Sequence, residues 1–136
     1  MDSDHPERKP PRRVLVVDDE PGIGKVLRIK LQLSGFEVLV ATGGARGVEL
    51  ARTRHPDVML LDMIMPDMSG FDVLEAVRTF SQVPIIVFTA RPELAESALR
   101  KGADDTITKP FIPDELVEKI EQVLASRGQR GDGSAG

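Results

Sequence analysis

The chain has 136 residues, with no cysteine, tryptophan or tyrosine, 22 acidic against 18 basic side chains, and 40% apolar residues. That is one domain's worth of sequence with enough apolar content for a core; it excludes disulfides, thiolate metal sites and cysteine nucleophiles, and no run of about 18 apolar residues offers a membrane span. Residues 14 to 124 hold 18 acids and 12 bases, a net charge of −6, which argues against this segment gripping nucleic acid through its phosphates.

The start, "MDSDHPERKPPRR", has no apolar stretch behind its charges, so it is not a secretory signal, and a cytoplasmic location is predicted. Residues 1–12 are polar and proline-rich and predict a disordered tail. Residues 13–127 form the folded domain, and the glycine-rich residues 128–136 predict a flexible tail or the stub of a linker. The first strand is "RVLVVD", a β-branched run closed by acids. "PGIGKVLRIKLQLSG" follows, with Ile23, Val26, Leu27 and Leu31 at helical spacing, Pro21 at its start and Gly35 as its stop. The alternation then repeats as "FEVLVA" and the Thr42-led "TGGARGVELARTRH", "DVMLLD" and "GFDVLEAVRTF", "PIIVFTA" and "PELAESALRKG", "DTIT" and "PDELVEKIEQVLAS". Near-continuous apolar strands between amphipathic helices predict a parallel sheet covered on both faces. The fold class is therefore α/β, a doubly wound five-stranded domain with the flavodoxin-like strand order 2-1-3-4-5 and five helices. Helix two is the weakest of them, since Gly43, Gly44 and Gly47 each cost it about 1 kcal/mol against alanine.

In such a sheet the working site lies beyond the carboxyl ends of the strands. Strand one ends in Asp18 and Asp19, strand three in Asp62, strand four in Thr89, and strand five leads to Thr108 and Lys109. A single aspartate after a strand is commonly a turn former or a helix cap. Three converging on one rim would raise one another's pKa, and Lys109 offsets only one charge. A divalent cation resolves the conflict. All-oxygen donors with room for water suit Mg²⁺ better than a dedicated Ca²⁺ cage.

The segments "VDDE", "LLDMIMPDMSG", "FTA" and "GADDTITKPF", in that order, resemble the receiver domain of a two-component response regulator over about residues 13 to 127. The resemblance implies that Asp62 is the phosphoacceptor, taking a phosphoryl group from the phosphohistidine of a sensor histidine kinase or a phosphotransfer protein. It implies Mg²⁺ held by Asp19, Asp62 and the backbone carbonyl of Ile64, with Asp18 acting through water. Lys109 would pair with the phosphoryl oxygens, Thr89 would donate its hydroxyl to one of them, and the Lys109–Pro110 bond would be cis. The helix-four, strand-five, helix-five surface would switch on phosphorylation and could serve a homodimer or an effector. Such a module promotes its own phosphorylation and dephosphorylation but is a signalling domain and not an enzyme. The chemistry agrees with these roles: phosphoryl transfer needs an in-line nucleophile and charge stabilisation more than acid–base catalysis.

Two departures from the family pattern stand out. Thr106 lies three residues before Lys109, where many receivers carry an aromatic ring that swings inward, so a weakened switch is expected. The loop "TARPEL" is short, which blurs the start of helix four. Ile64 and Arg91, each two residues beyond Asp62 and Thr89, border the path of attacking water; apolar Ile64 cannot orient water, so slow self-dephosphorylation is expected.

Other features carry less. "GIGK" at 22–25 lacks the spacing and the following Ser or Thr of a phosphate loop and is a helix start. "RGD" at 130–132 falls in the tail, the methionines from Met59 to Met68 are poor ligands for hard ions, and His5 and His55 are read as solvated. Among rival functions, a haloacid-dehalogenase-type phosphatase needs a second Asp where Ile64 stands. A flavodoxin needs a hydroxyl-rich first loop where "DDEPG" would repel phosphate. A phosphorylation-independent adaptor of the same shape is the remaining alternative. Helix five lacks an Arg-rich surface, so no particular dimer is implied.

Overall fold

A computed structural model describes the backbone of residues 10–135 and side chains up to residue 127; residues 1–9, most of the expected N-terminal tail, lie outside the described residues. In chain order the elements are β1 (Arg13–Val17), α1 (Pro21–Leu33), β2 (Glu37–Ala41), α2 (Gly44–Arg54), β3 (Val58–Asp62), α3 (Gly70–Arg78), β4 (Ile85–Thr89), α4 (Pro92–Arg100), β5 (Asp105–Thr108) and α5 (Pro113–Ala135). The strands form one parallel sheet in the order β2-β1-β3-β4-β5, so the chain reverses direction of travel between β1 and β3. That is the topology expected from the alternating pattern.

Successive residues of each strand face opposite sides, and the core divides accordingly. Leu15, Val17, Met59, Leu61, Ile85 and Val87 pack under α2, α3 and α4. Val14, Val16, Val58, Leu60, Ile86 and Phe88 pack under α1 and α5 through Leu27, Leu31, Leu116 and Ile120. The inner strands β1, β3 and β4 are buried on both faces, which is why they read as unbroken apolar runs, whereas the edge strands β2 and β5 are only partly covered.

Three helices differ from the sequence reading. The buried stripe of α1 is Gly24, Leu27 and Leu31. Val26 is 57% exposed, because Gly24 takes the inward place and lies so close to Val40 that an added Cβ would sit 3.0 Å from its methyl group. Helix α2 begins at Gly44 with Gly43 as its cap, not at Thr42. Its glycines are explained by close approach: a Cβ on Gly44 would lie 2.7 Å from that of Met68, and one on Gly47 would lie 2.9 Å from the Val17 methyls. Proximity outweighs the helix-propensity cost. The backbone of α5 continues past Ser126, where the sequence pattern places its end, to Ala135.

Among the described residues no helix is long and apolar enough to cross a membrane.

At the amino ends of the strands, Asp104 anchors a charge network. Its carboxylate accepts from the Ile85 N–H (2.8 Å), from Arg78 (3.0 Å) and from Arg127 (3.1 Å). Arg78 also donates to the carbonyls of Val83 and Gly102, so α3, β4, β5 and α5 are tied at one corner.

Candidate functional site

The opposite, carboxyl rim gathers Asp18 and Asp19 after β1, Asp62 at the end of β3, Thr89 at the end of β4 and Lys109 after β5. Parallel strands in register bring these positions level: Val17 pairs with Leu61, Asp62 with Phe88, and Thr89 with Thr108. The acids begin where the apolar strands stop, so each backbone is held by the sheet while its carboxylate reaches the rim.

Asp18, Asp19 and Asp62 each place a carboxylate oxygen within 4.8 Å of the others. Asp18 is fully buried and Asp62 only 5% exposed, while Asp19 is half-buried. The Lys109 ammonium lies 3.6 Å from Asp62 Oδ1 and 4.0 Å from Asp18 Oδ2, with the Phe88 ring 4.9 Å beneath it. Phe88 in turn meets Phe111 edge to face at 6.1 Å between ring centres. The Lys109–Pro110 bond is cis.

Hydrogen bonding at the rim is uneven. Asp18 Oδ1 accepts from the Glu20 N–H at 2.8 Å, but Oδ2 is buried with no hydrogen-bond partner; Lys109 faces it only at ion-pair distance. Asp62 Oδ1 accepts weakly from the Ile64 N–H at 3.4 Å. The Thr89 hydroxyl accepts from the Arg91 N–H, and the Arg91 guanidinium turns away to Glu93. Burial, helped by the neighbouring Asp62 charge, pushes the Asp18 carboxyl up to about 6 against the pull of the Glu20 amide. Asp62 is also raised, first by burial, with Lys109 opposing.

A buried carboxylate oxygen without a partner and three acids against one ammonium form a charge deficit that a small hard cation fits. The donors are all oxygen, which suits Mg²⁺ and not a soft metal.

Sequence reasoning brought Asp18, Asp19, Asp62 and Lys109 to one place, and the structure has them there; Thr89 lies on the adjoining strand end, and Ile64 meets Asp62 through its N–H, its side chain 56% exposed. Two contributors were missed. Phe88 reads as ordinary core and gives no sign of carrying the ammonium on its face. Asp67, in the loop after Asp62, accepts from the Gly44 and Ala45 N–H groups, each at 3.0 Å, across more than twenty residues of chain.

Residues 14–121 match the family model described as response regulator receiver domain. The transcriptional regulatory protein KdpE of Mycobacterium tuberculosis (strain ATCC 25618 / H37Rv) is 45% identical over 113 residues, covering 82% of this chain and 50% of KdpE. The DNA-binding response regulator MtrA of Mycolicibacterium smegmatis is 40% identical over 115 residues, covering 83% and 50%. The chain thus spans about half the length of these curated relatives. Among solved structures, a CheY-like response regulator receiver domain protein from Methanospirillum hungatei JF-1 superposes with a TM-score of 0.83 at 29% identity, covering 88% of this chain and 98% of that one. The chemotaxis protein CheY4 of Vibrio cholerae gives 0.78 at 34% identity, covering 83% and 98%.

Proposed function

The chain belongs to the response regulator receiver family, and from that premise we propose that it accepts a phosphoryl group on Asp62 from the phosphohistidine of a sensor kinase or phosphotransfer protein, in a Mg²⁺-dependent reaction. The observation that carries this reading is the buried Asp18 oxygen left without a partner beside Asp62 and Lys109. The Asp104 carboxylate at the other end of the sheet, by contrast, has both oxygens hydrogen-bonded.

The carboxylate of Asp62 supplies the electron pair for a new O–P bond as the N–P bond of the donor breaks; that pair stays on the imidazole nitrogen, which takes a proton from solvent. Asp19, Asp62 and the Ile64 carbonyl would hold Mg²⁺, with Asp18 through water, and the ion, when bound, supplies positive charge to offset that of the phosphoryl oxygens. Lys109 is carried on the Phe88 face close to Asp62, so its ammonium is aimed before any phosphoryl arrives and pairs with one oxygen afterwards. Thr89, released from the Arg91 amide, donates to another. This is a signalling module that promotes its own modification; its acceptor is consumed until the phosphoryl is lost to water.

On one side the rim opens into an apolar groove of about 720 Å³ between α1 and the β5–α5 turn, lined by Ile23, Val26, Lys109, Pro110 and Phe111. Because Lys109 belongs to both groove and rim, we assign the groove to the donor protein that delivers the phosphohistidine, which accounts for the outward turn of Val26. The face of α4, β5 and α5 is assigned to output, as a homodimer or an effector contact, with no direct nucleic-acid or membrane contact by this segment and a cytoplasmic setting. Thr106 on the β5 edge offers no ring to swing inward, so the switch there is smaller than the family's usual one and rests more on loop and α4 movement. That residue is also the one observation favouring a phosphorylation-independent adaptor.

Incubation with Mg²⁺ and acetyl phosphate, followed by intact mass, separates the two. The parent is expected to gain one phosphoryl group and Asp62→Asn none; a parent that gains none makes the adaptor the better reading.

A further inference from the structure

Helix α2 has no cap of its own. Its cap position is Gly43, which has no side chain to turn back onto the first amides, and no acid stands in the first turn. The cap comes instead from the loop between β3 and α3. The two oxygens of Asp67 each accept one N–H, from Gly44 and from Ala45, both at 3.0 Å. These amides hold the Asp67 carboxyl below the usual carboxylate range.

The fit is two-sided. A Cβ on Gly43 would come within 3.3 Å of the Asp67 oxygens, and one on Gly44 would run into Met68 at 2.7 Å. The bare start of α2 is thus the seat of the Asp67–Met68 loop tip. At its other end the same loop is closed by the Gly70 N–H, which donates to the Met63 carbonyl at 2.9 Å. Between these two fastenings runs Ile64, and immediately before them Asp62.

We propose that Asp67 is a positioning residue for the phosphoacceptor site: by capping α2 from the loop after Asp62, it fixes that loop and with it the Ile64 carbonyl. The inference rests on the reading of Ile64 as a Mg²⁺ ligand. It assigns to the start of α2, which touches neither metal nor phosphoryl, a share in setting the site's geometry. A loop ordered beforehand binds a cation without the cost of ordering it at that moment.

Calorimetric titration of the whole chain with Mg²⁺ tests this, with hydrogen exchange at the Gly44 and Ala45 amides as a second readout. Asp67→Ala is expected to weaken Mg²⁺ binding about fivefold and to speed exchange at both amides, the size of effect that loss of a helix cap produces. Asp67→Asn keeps one acceptor oxygen but turns an NH₂ donor towards the second amide, so its affinity is expected between those of the parent and Asp67→Ala. Leu50→Val loosens the buried face of α2 while leaving the Asp67 cap in place, and is expected to lower the unfolding temperature with Mg²⁺ affinity unchanged. Weakening in both variants without faster exchange at the Gly44 and Ala45 amides would assign the effect to lost charge and overturn the clamp. Weakening by Leu50→Val to the level of Asp67→Ala would reduce Asp67 to a stability role and overturn it as well. Unchanged affinity in Asp67→Ala, in a parent that binds Mg²⁺, would overturn the inference and leave the receiver reading standing. A parent that binds no Mg²⁺ would remove the reading itself.

Discussion

The two ends of the sheet treat buried carboxylates in opposite ways. At the amino end, Asp104 accepts from a backbone amide and two guanidinium groups, so its charge is matched within the chain. At the carboxyl end, Asp18 is more deeply buried yet has one oxygen without a hydrogen bond, and it shares a single ammonium with Asp62. The first arrangement locks elements together. The second keeps a charge deficit in the folded state, which costs stability and makes the rim receptive to a cation and a phosphoryl group. Same side chain, same sheet, opposite uses: the difference lies in whether the neighbours complete the carboxylate.

The contrast is sharpest in paired variants. Asp62→Asn is expected to abolish phosphoryl uptake while leaving the fold at least as stable as the parent. Asp104→Ala is expected to do the reverse, losing about 3 kcal/mol by stranding Arg78 and Arg127 while uptake at saturating Mg²⁺ persists. Urea unfolding followed by circular dichroism, alongside intact mass, measures both; loss of stability in the first or of uptake in the second would erase the distinction between the ends.

A smaller effect of opposite sign is expected at Asp18. Its folded pKa of about 6 stands above the ordinary value of 3.8, so the folded state holds the proton more tightly than the unfolded one. Its contribution to metal-free stability is therefore full below about pH 4, falls as pH rises through 6, and stays low above that. Asp18→Asn removes this penalty, and the metal-free variant is expected to be more stable than the parent at pH 7.5. Below pH 4 the gain vanishes. In the parent, added Mg²⁺ recovers stability by mass action, and in the variant it recovers less. A metal-free parent whose stability is flat between pH 4 and 6.5 would show that the rim carries no such penalty.

The smallest expected change concerns lifetime. Ile64 exposes an apolar side chain beside Asp62, and an amide there can orient water. Ile64→Asn is expected to shorten the phosphorylated lifetime a few-fold, followed as the decay of phosphorylated mass after removal of the donor.

What the sequence made legible divides along the same lines. The inner strands are apolar on both faces, so their runs and their acidic ends could be read directly, and with them Asp18, Asp19, Asp62 and the Lys109–Pro110 pair. The doubly wound parallel sheet followed from alternation of elements, and the flavodoxin-like order chosen for it is the one the structure has. What was not legible depended on contacts between distant segments. In α1 so many positions are apolar that spacing alone could not tell inward Gly24 from outward Val26; the deciding contact is with Val40 on the next strand. The glycines of α2 looked like a defect because what they make room for, the Asp67 cap, Met68 and Val17, stands elsewhere in the chain. The Asp104 corner likewise draws on α3 and α5, and nothing in "GADD" says which of its acids will be buried with arginine.

Arg127 gives the corner a mechanical meaning. Helix α5 starts just beyond Lys109 and Pro110 at the rim and, about 20 Å on, is pinned where Arg127 donates to Asp104 and to the Gln82 carbonyl. A rod pinned at one end and starting beside the reactive site at the other has the geometry of a lever with its fulcrum at Asp104. Displacement of the Lys109 end by about 1 Å becomes a tilt of about 3° over that length, and every point beyond the fulcrum swings the opposite way.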